Sequence, residues 1–172
     1  MAPSSAVEFD VTPEWVGRAA SRREAHERRV IGDSTLPRKS SPSAMLMARE
    51  RWTFPMGESA PAMARSAATS LAPAVPPERL SDIVLLVSEL VTNSVRHAGL
   101  TSADCVEMRV DIDEEVVRVE VQDPGPGFVT LLQSPHPSRG SGWGLHLVDL
   151  VADRWGVDTN ERETVAWFEI DL

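Results

Sequence analysis

Glu89 and Asn93 stand inside the apolar run LLVSELVTNSVRHAG, four residues apart and so on one face of any helix formed there. An Asn carbonyl is a suitable oxygen ligand for magnesium, which keeps several waters and takes few protein ligands. A carboxylate one turn away can orient or deprotonate an attacking hydroxyl or water. Arg96 or His97 would continue the same polar face. Taken alone, E-x-x-x-N also describes an ordinary solvated helix stripe.

Two further clusters follow in chain order. Asp123 closes the alternating apolar stretch VVRVEVQ and opens the turn DPGPGF. A carboxylate buried there can accept a hydrogen bond from the exocyclic amine of an aminopurine, and Gly125 and Gly127 let the backbone approach a flat base. An Asp-Pro-Gly turn at a strand end is equally a structural device. Gly140, Gly142 and Gly144, in RGSGWGLHLV, lead into a helical pattern. Free N–H groups at a helix N-terminus attract phosphate, and glycines let a ligand come close. A P-loop is excluded by the missing G-K-[ST] ending, and Leu145 stands where a dinucleotide fingerprint needs its third glycine. Arg139, at the end of the proline-bearing stretch VTLLQSPHPSR, is placed to reach a phosphate or to remain in solvent.

The elements that must hold these residues are legible from periodicity. Arg51–Phe54 reads as an edge strand ended by Pro55, and Ser59–Leu71 as an Ala-rich helix with Pro61 in its first turn. Pro76-Pro77-Glu78 opens a long helix whose apolar positions Leu80, Ile83, Val84, Val87, Leu90, Val91 and Val95 recur at helical spacing until Gly99. Cys105–Ile112 and Val116–Val121 alternate around Asp113-Glu114-Glu115, which predicts a hairpin. Trp143–Ala152 reads as an amphipathic helix and Thr164–Leu172 as a last strand. Cys105 is expected to be a small buried apolar residue, and Trp143, Trp155 and Trp167 to pack in the core or against a lid. The interspersed helices and strands predict an α/β (α+β) two-layer sandwich, a mixed sheet with helices on one face.

Composition narrows the functional classes. The chain has 172 residues and a net charge of -9, with Lys39 its only lysine. That balance argues against direct nucleic-acid binding, which needs clustered basic surface. A single cysteine excludes an internal disulfide, no run of some 18 apolar residues suggests a membrane span, and the N-terminus lacks a signal-peptide layout. A cytoplasmic protein is expected. His136 and His146 show no metal-ligand spacing. Residues 1–48 differ in character from the remainder: Thr12-Pro13-Glu14 starts one helix, and the polar, proline-punctuated stretch 33–43 reads as a linker. The expected organisation is a flexible N-terminal extension over 1–48 and a globular domain over 49–172.

In this order, ELVTNSVRHA, DPGPGF and RGSGWGL resemble the three boxes of the Bergerat ATP-binding fold of the GHKL superfamily, shared by histidine kinases, heat-shock protein 90, gyrase B and MutL. The resemblance spans roughly residues 50–172 and is closest to the bacterial anti-sigma-factor serine/threonine kinases. Ser94 departs from the commoner Ala of the first box, a small-for-small change. The resemblance implies Glu89 as catalytic general base and Asn93 as magnesium ligand, with Asp123, Gly125 and Gly127 recognising adenine. It implies that Gly140, Gly142, Trp143, Gly144 and Leu145 hold the phosphates under a lid over 129–139, with His97 and Arg139 as further contacts. ATP and Mg2+ are the implied cofactors. The implied partners are a sigma factor and a STAS-domain anti-anti-sigma protein that would be phosphorylated, and a homodimer is compatible with both. A chain without a dimerisation helix pair fits a histidine kinase poorly, and one without a transducer domain fits gyrase B or MutL poorly. A non-catalytic ATP-dependent partner switch and a simple ATPase remain as alternatives.

Overall fold

The computed structural model describes residues 46–97, 101, 103–125, 143–160 and 162–172. The N-terminal extension up to residue 45, the lid stretch 129–139, and Gly127, Arg139, Gly140 and Gly142 lie outside the described residues, as do the side chains of His97 and Trp143. Eight elements follow one another: β1 (Ala48–Pro55), α1 (Ala60–Thr69), α2 (Pro77–His97), β2 (Cys105–Ile112), β3 (Val116–Asp123), α3 (Trp143–Val151), β4 (Arg154–Thr159) and β5 (Thr164–Asp171).

The strands form one sheet in the order β1-β2-β3-β5-β4. The sheet expected to be mixed is antiparallel at every one of these pairings. The reason lies in the connections. β2–β3 and β4–β5 are hairpins, and α3 carries the chain back along the sheet before β4 begins. β5 therefore enters beside β3 running against it, with Thr164 opposite Asp123. The β2–β3 turn is fastened by Asp113, whose Oδ1 accepts from the N–H groups of Glu115 at 2.9 Å and Val116 at 2.8 Å. That is the local bonding that makes Asp a turn former.

Strict alternation in β2 and β3 sends Val106, Met108, Val110, Ile112, Val117, Val119 and Val121 to one face, where Ala166, Phe168 and Ile170 of β5 join them. The helices cover this face. From α2 come Ile83, Leu86, Val87, Leu90 and Val91, spaced at three and four residues as a helix stripe requires. Alanines 60, 64 and 68 let α1 lie close against the core, and Leu145 and Val148 bring in α3. The two-layer α+β sandwich is thus as the periodicity implies. No described helix is long and apolar enough to cross a membrane.

The opposite face of the sheet is charged. Directly paired residues place Arg49, Asp111, Arg118, Glu169 and Arg154 in a row across all five strands, alternating in sign. Arg118 reaches Glu169 at 2.9 Å and Glu120 at 2.8 Å, Arg154 binds both Glu169 and Asp171, and Arg49 binds Asp111 at 2.7 Å. Burial opposes the charge on Arg154, but Asp171 and Glu169 outweigh it and hold the guanidinium firmly protonated.

Three expectations change here. β4 has no counterpart in the periodicity, since RWGVDT is half-buried on both sides and contains a glycine. Cys105 is exposed, because it takes the outward phase of β2. Trp167 lies on the charged face rather than in the core: its ring sits under the Arg118 guanidinium, 4.2 Å from the centroid, and against Gly156. Trp155 does pack against the core and donates to Asp149 at 3.1 Å.

Candidate functional site

The sequence clusters meet around the C-terminal half of α2. Glu89 and Asn93 are half-buried on that helix, while the following Ser94 is buried. Their neighbour is the first turn of α3. A methyl group built on Gly144 would lie 2.9 Å from Glu89 Oε2, 3.0 Å from Asn93 Nδ2 and 3.3 Å from Asn93 Oδ1. A side chain here would therefore push both groups aside, and the Glu/Asn pair sits directly at the N-terminal turn of α3. The first N–H groups of a helix have no partner within it and carry its positive end. Glu89, Asn93 and an anion-attracting helix start thus share one place.

Leu145 turns its side chain into the core, so the group it can offer a ligand is its main-chain N–H. Val148, one turn on, anchors α3 in the same layer and holds this helix start in position.

Asp123 forms the other side of the site. The last residue of β3 takes the inward phase of that strand, and its side chain is only 2% exposed. Oδ1 accepts from the Gly125 N–H at 3.1 Å, which closes the Asp-Pro-Gly turn on itself. Oδ2 is buried with no hydrogen-bond partner among the described residues. Burial is the largest influence on this carboxyl and raises its pKa, with Ser94 and the Gly125 N–H acting in the opposite direction. An unmet buried acceptor costs about 1–3 kcal/mol, and a ligand donor that reaches it recovers that free energy.

Thr164 completes the frame. Fully buried opposite Asp123, it donates from Oγ1 to the Gly125 carbonyl at 3.1 Å and so ties the turn to β5. Periodicity gave no hint of this, since a Thr opening a strand is unexceptional. Arg96, offered by the sequence as a continuation of the polar face, is exposed. Among the described residues no group of three or more His, Cys, Asp or Glu side chains could enclose a metal, so any cation here would rely on few protein ligands.

One antiparallel sheet covered by helices, with a helix-borne Glu/Asn pair at a glycine-rich helix start and a buried Asp at a strand end, defines a GHKL-type ATP-binding domain. The family profile of the histidine kinase-like ATPase domain matches residues 57–170, well over half of the chain. The chain belongs to that family, and its function is accordingly one of ATP binding. A comparison with curated proteins finds no match.

Proposed function

We propose that this domain is the ATP-binding core of a cytoplasmic serine/threonine protein kinase that acts as an anti-sigma factor. It would sequester a sigma factor and phosphorylate a serine or threonine on a small STAS-type antagonist. The partner assignment is supported by the likeness of ELVTNSVRHA and DPGPGF to the boxes of anti-sigma kinases. The phosphoryl-transfer assignment is supported by one observation above all: Gly144 brings the α3 N-terminus against both Glu89 and Asn93.

Phosphoryl transfer demands mainly positioning and charge neutralisation. In this reading Asp123 Oδ2 accepts from the adenine amine, which would meet its unmet acceptor demand. Asn93 would hold magnesium through its side-chain carbonyl, and the ion would help to neutralise the triphosphate. The α3 N-terminal N–H groups receive phosphate oxygens, and Glu89 steers and deprotonates the attacking hydroxyl. The donor set suits magnesium: a neutral amide oxygen beside a carboxylate leaves most positions to water and phosphate.

Incubation with γ-labelled ATP, magnesium and a STAS-domain protein tests the proposal. Label should pass to the partner, and Glu89→Gln should bind ATP with near wild-type affinity while losing transfer by about a hundredfold or more, the usual scale for an essential general base. Free phosphate without partner label would indicate an ATPase instead. ATP binding with neither product would indicate a non-catalytic switch.

A further inference from the structure

Asp123 and Thr164 are the last opposed pair of β3 and β5, so the carboxylate sits where the ladder ends and strands fray most readily. Two side chains from the β4–β5 turn close that end. On the helix-covered face, Thr164 Oγ1 donates to the Gly125 carbonyl at 3.1 Å. On the charged face, Glu163 Oε2 accepts from Gln122 Nε2 at 2.6 Å, and Gln122 Oε1 accepts in turn from Arg109 of β2 at 3.2 Å. The turn is itself fixed by Asn160, whose Oδ1 accepts from the N–H groups of Arg162 at 2.8 Å and Glu163 at 3.1 Å. Two consecutive residues thus grip the chain just before and just after Asp123, one from each face of the sheet.

We propose that Thr164 is a positioning residue for base recognition, whose hydroxyl holds the Asp-Pro-Gly turn so that Asp123 presents Oδ2 to the exocyclic amine of the base. This rests on the placement of adenine at Asp123 given above. The path runs through Gly125. Its N–H donates to Asp123 Oδ1 and its carbonyl accepts from Thr164, so one residue carries both ends of the link. Glycine has the widest backbone freedom of any residue, and a turn built on it keeps one shape only where it is tied. With the carbonyl released, the N–H would leave Oδ1, and the carboxylate would gain rotational freedom that the nucleotide must then remove on binding. Oδ2, buried and without a partner among the described residues, is the atom whose direction matters. Thr164 is fully buried, and valine has nearly its shape, so volume alone does not call for a hydroxyl there. The Gln122–Glu163 bond contributes less, because it holds the strand ends together and not the turn itself.

The test compares ATP with purine riboside triphosphate, which differs only in lacking the 6-amino group, by calorimetric titration. Wild type should prefer ATP. Thr164→Val should reduce that preference by about three- to tenfold, the scale of one hydrogen bond, by weakening ATP and leaving the purine analogue unchanged. Thr164→Ser, which keeps the hydroxyl, should restore the preference. In an Asp123→Asn background Thr164→Val should change the ratio no further. Undiminished preference in Thr164→Val would overturn the role of Thr164. So would equal weakening of both nucleotides, the result expected of a hydroxyl that touches the ring itself, or a serine variant no better than valine. Wild-type protein that binds the two nucleotides equally would instead overturn the placement of adenine at Asp123. Unfolding midpoints would confirm that folded material is compared. Should Thr164→Val not fold, Gln122→Ala carries the test: it should reduce the preference by about twofold, the low end for one hydrogen bond, and an unchanged preference would overturn the clasp.

Discussion

Two buried carboxylates on opposite faces of the same sheet have been treated in opposite ways. Glu169, 5% exposed, has both oxygens engaged by arginines, Oε1 by Arg118 and Oε2 by Arg154. Asp123, 2% exposed, has one oxygen engaged by a turn N–H and the other by nothing described. Burying a charge without a partner is costly, so a carboxylate whose task is to hold a fold is expected to be saturated. One kept partly unmet has capacity for a ligand. The charged face is closed chemistry that fastens β4 and β5 to β3, whereas the α2–β3–α3 side is chemistry left open.

The comparison breaks first at Glu169. Glu169→Gln should destabilise the domain by about 3 kcal/mol, the lower end of the range for a disrupted buried pair, because Arg118 keeps Glu120 and Arg154 keeps Asp171. Denaturant unfolding would read this, and ATP affinity measured in the folded protein should be unchanged. A loss of ATP affinity at unchanged stability would mean that the two faces are not independent.

The same contrast appears in two glycines. At Gly156 an added methyl would lie 2.8 Å from two Trp167 ring carbons, beneath a ring already covered by Arg118. The ring is rigid, so Gly156→Ala should cost about 1–3 kcal/mol of stability through overpacking. At Gly144 the methyl meets the ends of Glu89 and Asn93, which can swing aside. Gly144→Ala should therefore leave the unfolding midpoint nearly unchanged while displacing both functional groups. Misplacement on that scale reduces a chemical step by about a hundredfold or less, and transfer of label from ATP would read it. A Gly144→Ala protein with full transfer would detach the Glu89/Asn93 pair from the reaction.

Much of this arrangement was written locally, and the parts that were not share a physical cause. The helix stripe of α2 and the alternation of β2 and β3 depend on residues a few positions apart, so periodicity finds them. The places of Glu89 and Asn93 on one helix and of Asp123 at a strand end were legible because motif and element coincide. β4 was not, because its hold on the sheet comes from the Arg154 ion pairs and the fit of Gly156 against Trp167, made with residues more than ten positions away. Strand direction is likewise a property of connections rather than of residue pattern. Thr164 acts on a carbonyl 39 residues back along the chain.

The smallest effect, and the sharpest for Asp123, is in the pH dependence of stability. Burial raises the folded-state pKa of Asp123 above its ordinary value of 3.8, so in the interval above that value the folded protein holds a proton that the unfolded chain has released. By linkage, stability contributed by this group is present below the ordinary value and declines as pH rises through the folded-state value. Asp123→Asn removes the titration while keeping the volume. The difference in unfolding free energy, Asp123→Asn minus wild type, should therefore increase from acid toward neutral pH and then level off. A rise of about 1.4 kcal/mol corresponds to a tenfold difference in proton affinity between the folded and unfolded chain. Thermal unfolding of ligand-free protein across that range would read it. The same substitution should weaken ATP binding, so a variant that is relatively more stable at neutral pH would be the poorer binder. A difference that stays flat with pH would mean that burial does not raise the pKa of Asp123 in the folded state, and the reading of Asp123 as an unmet buried carboxylate would be lost.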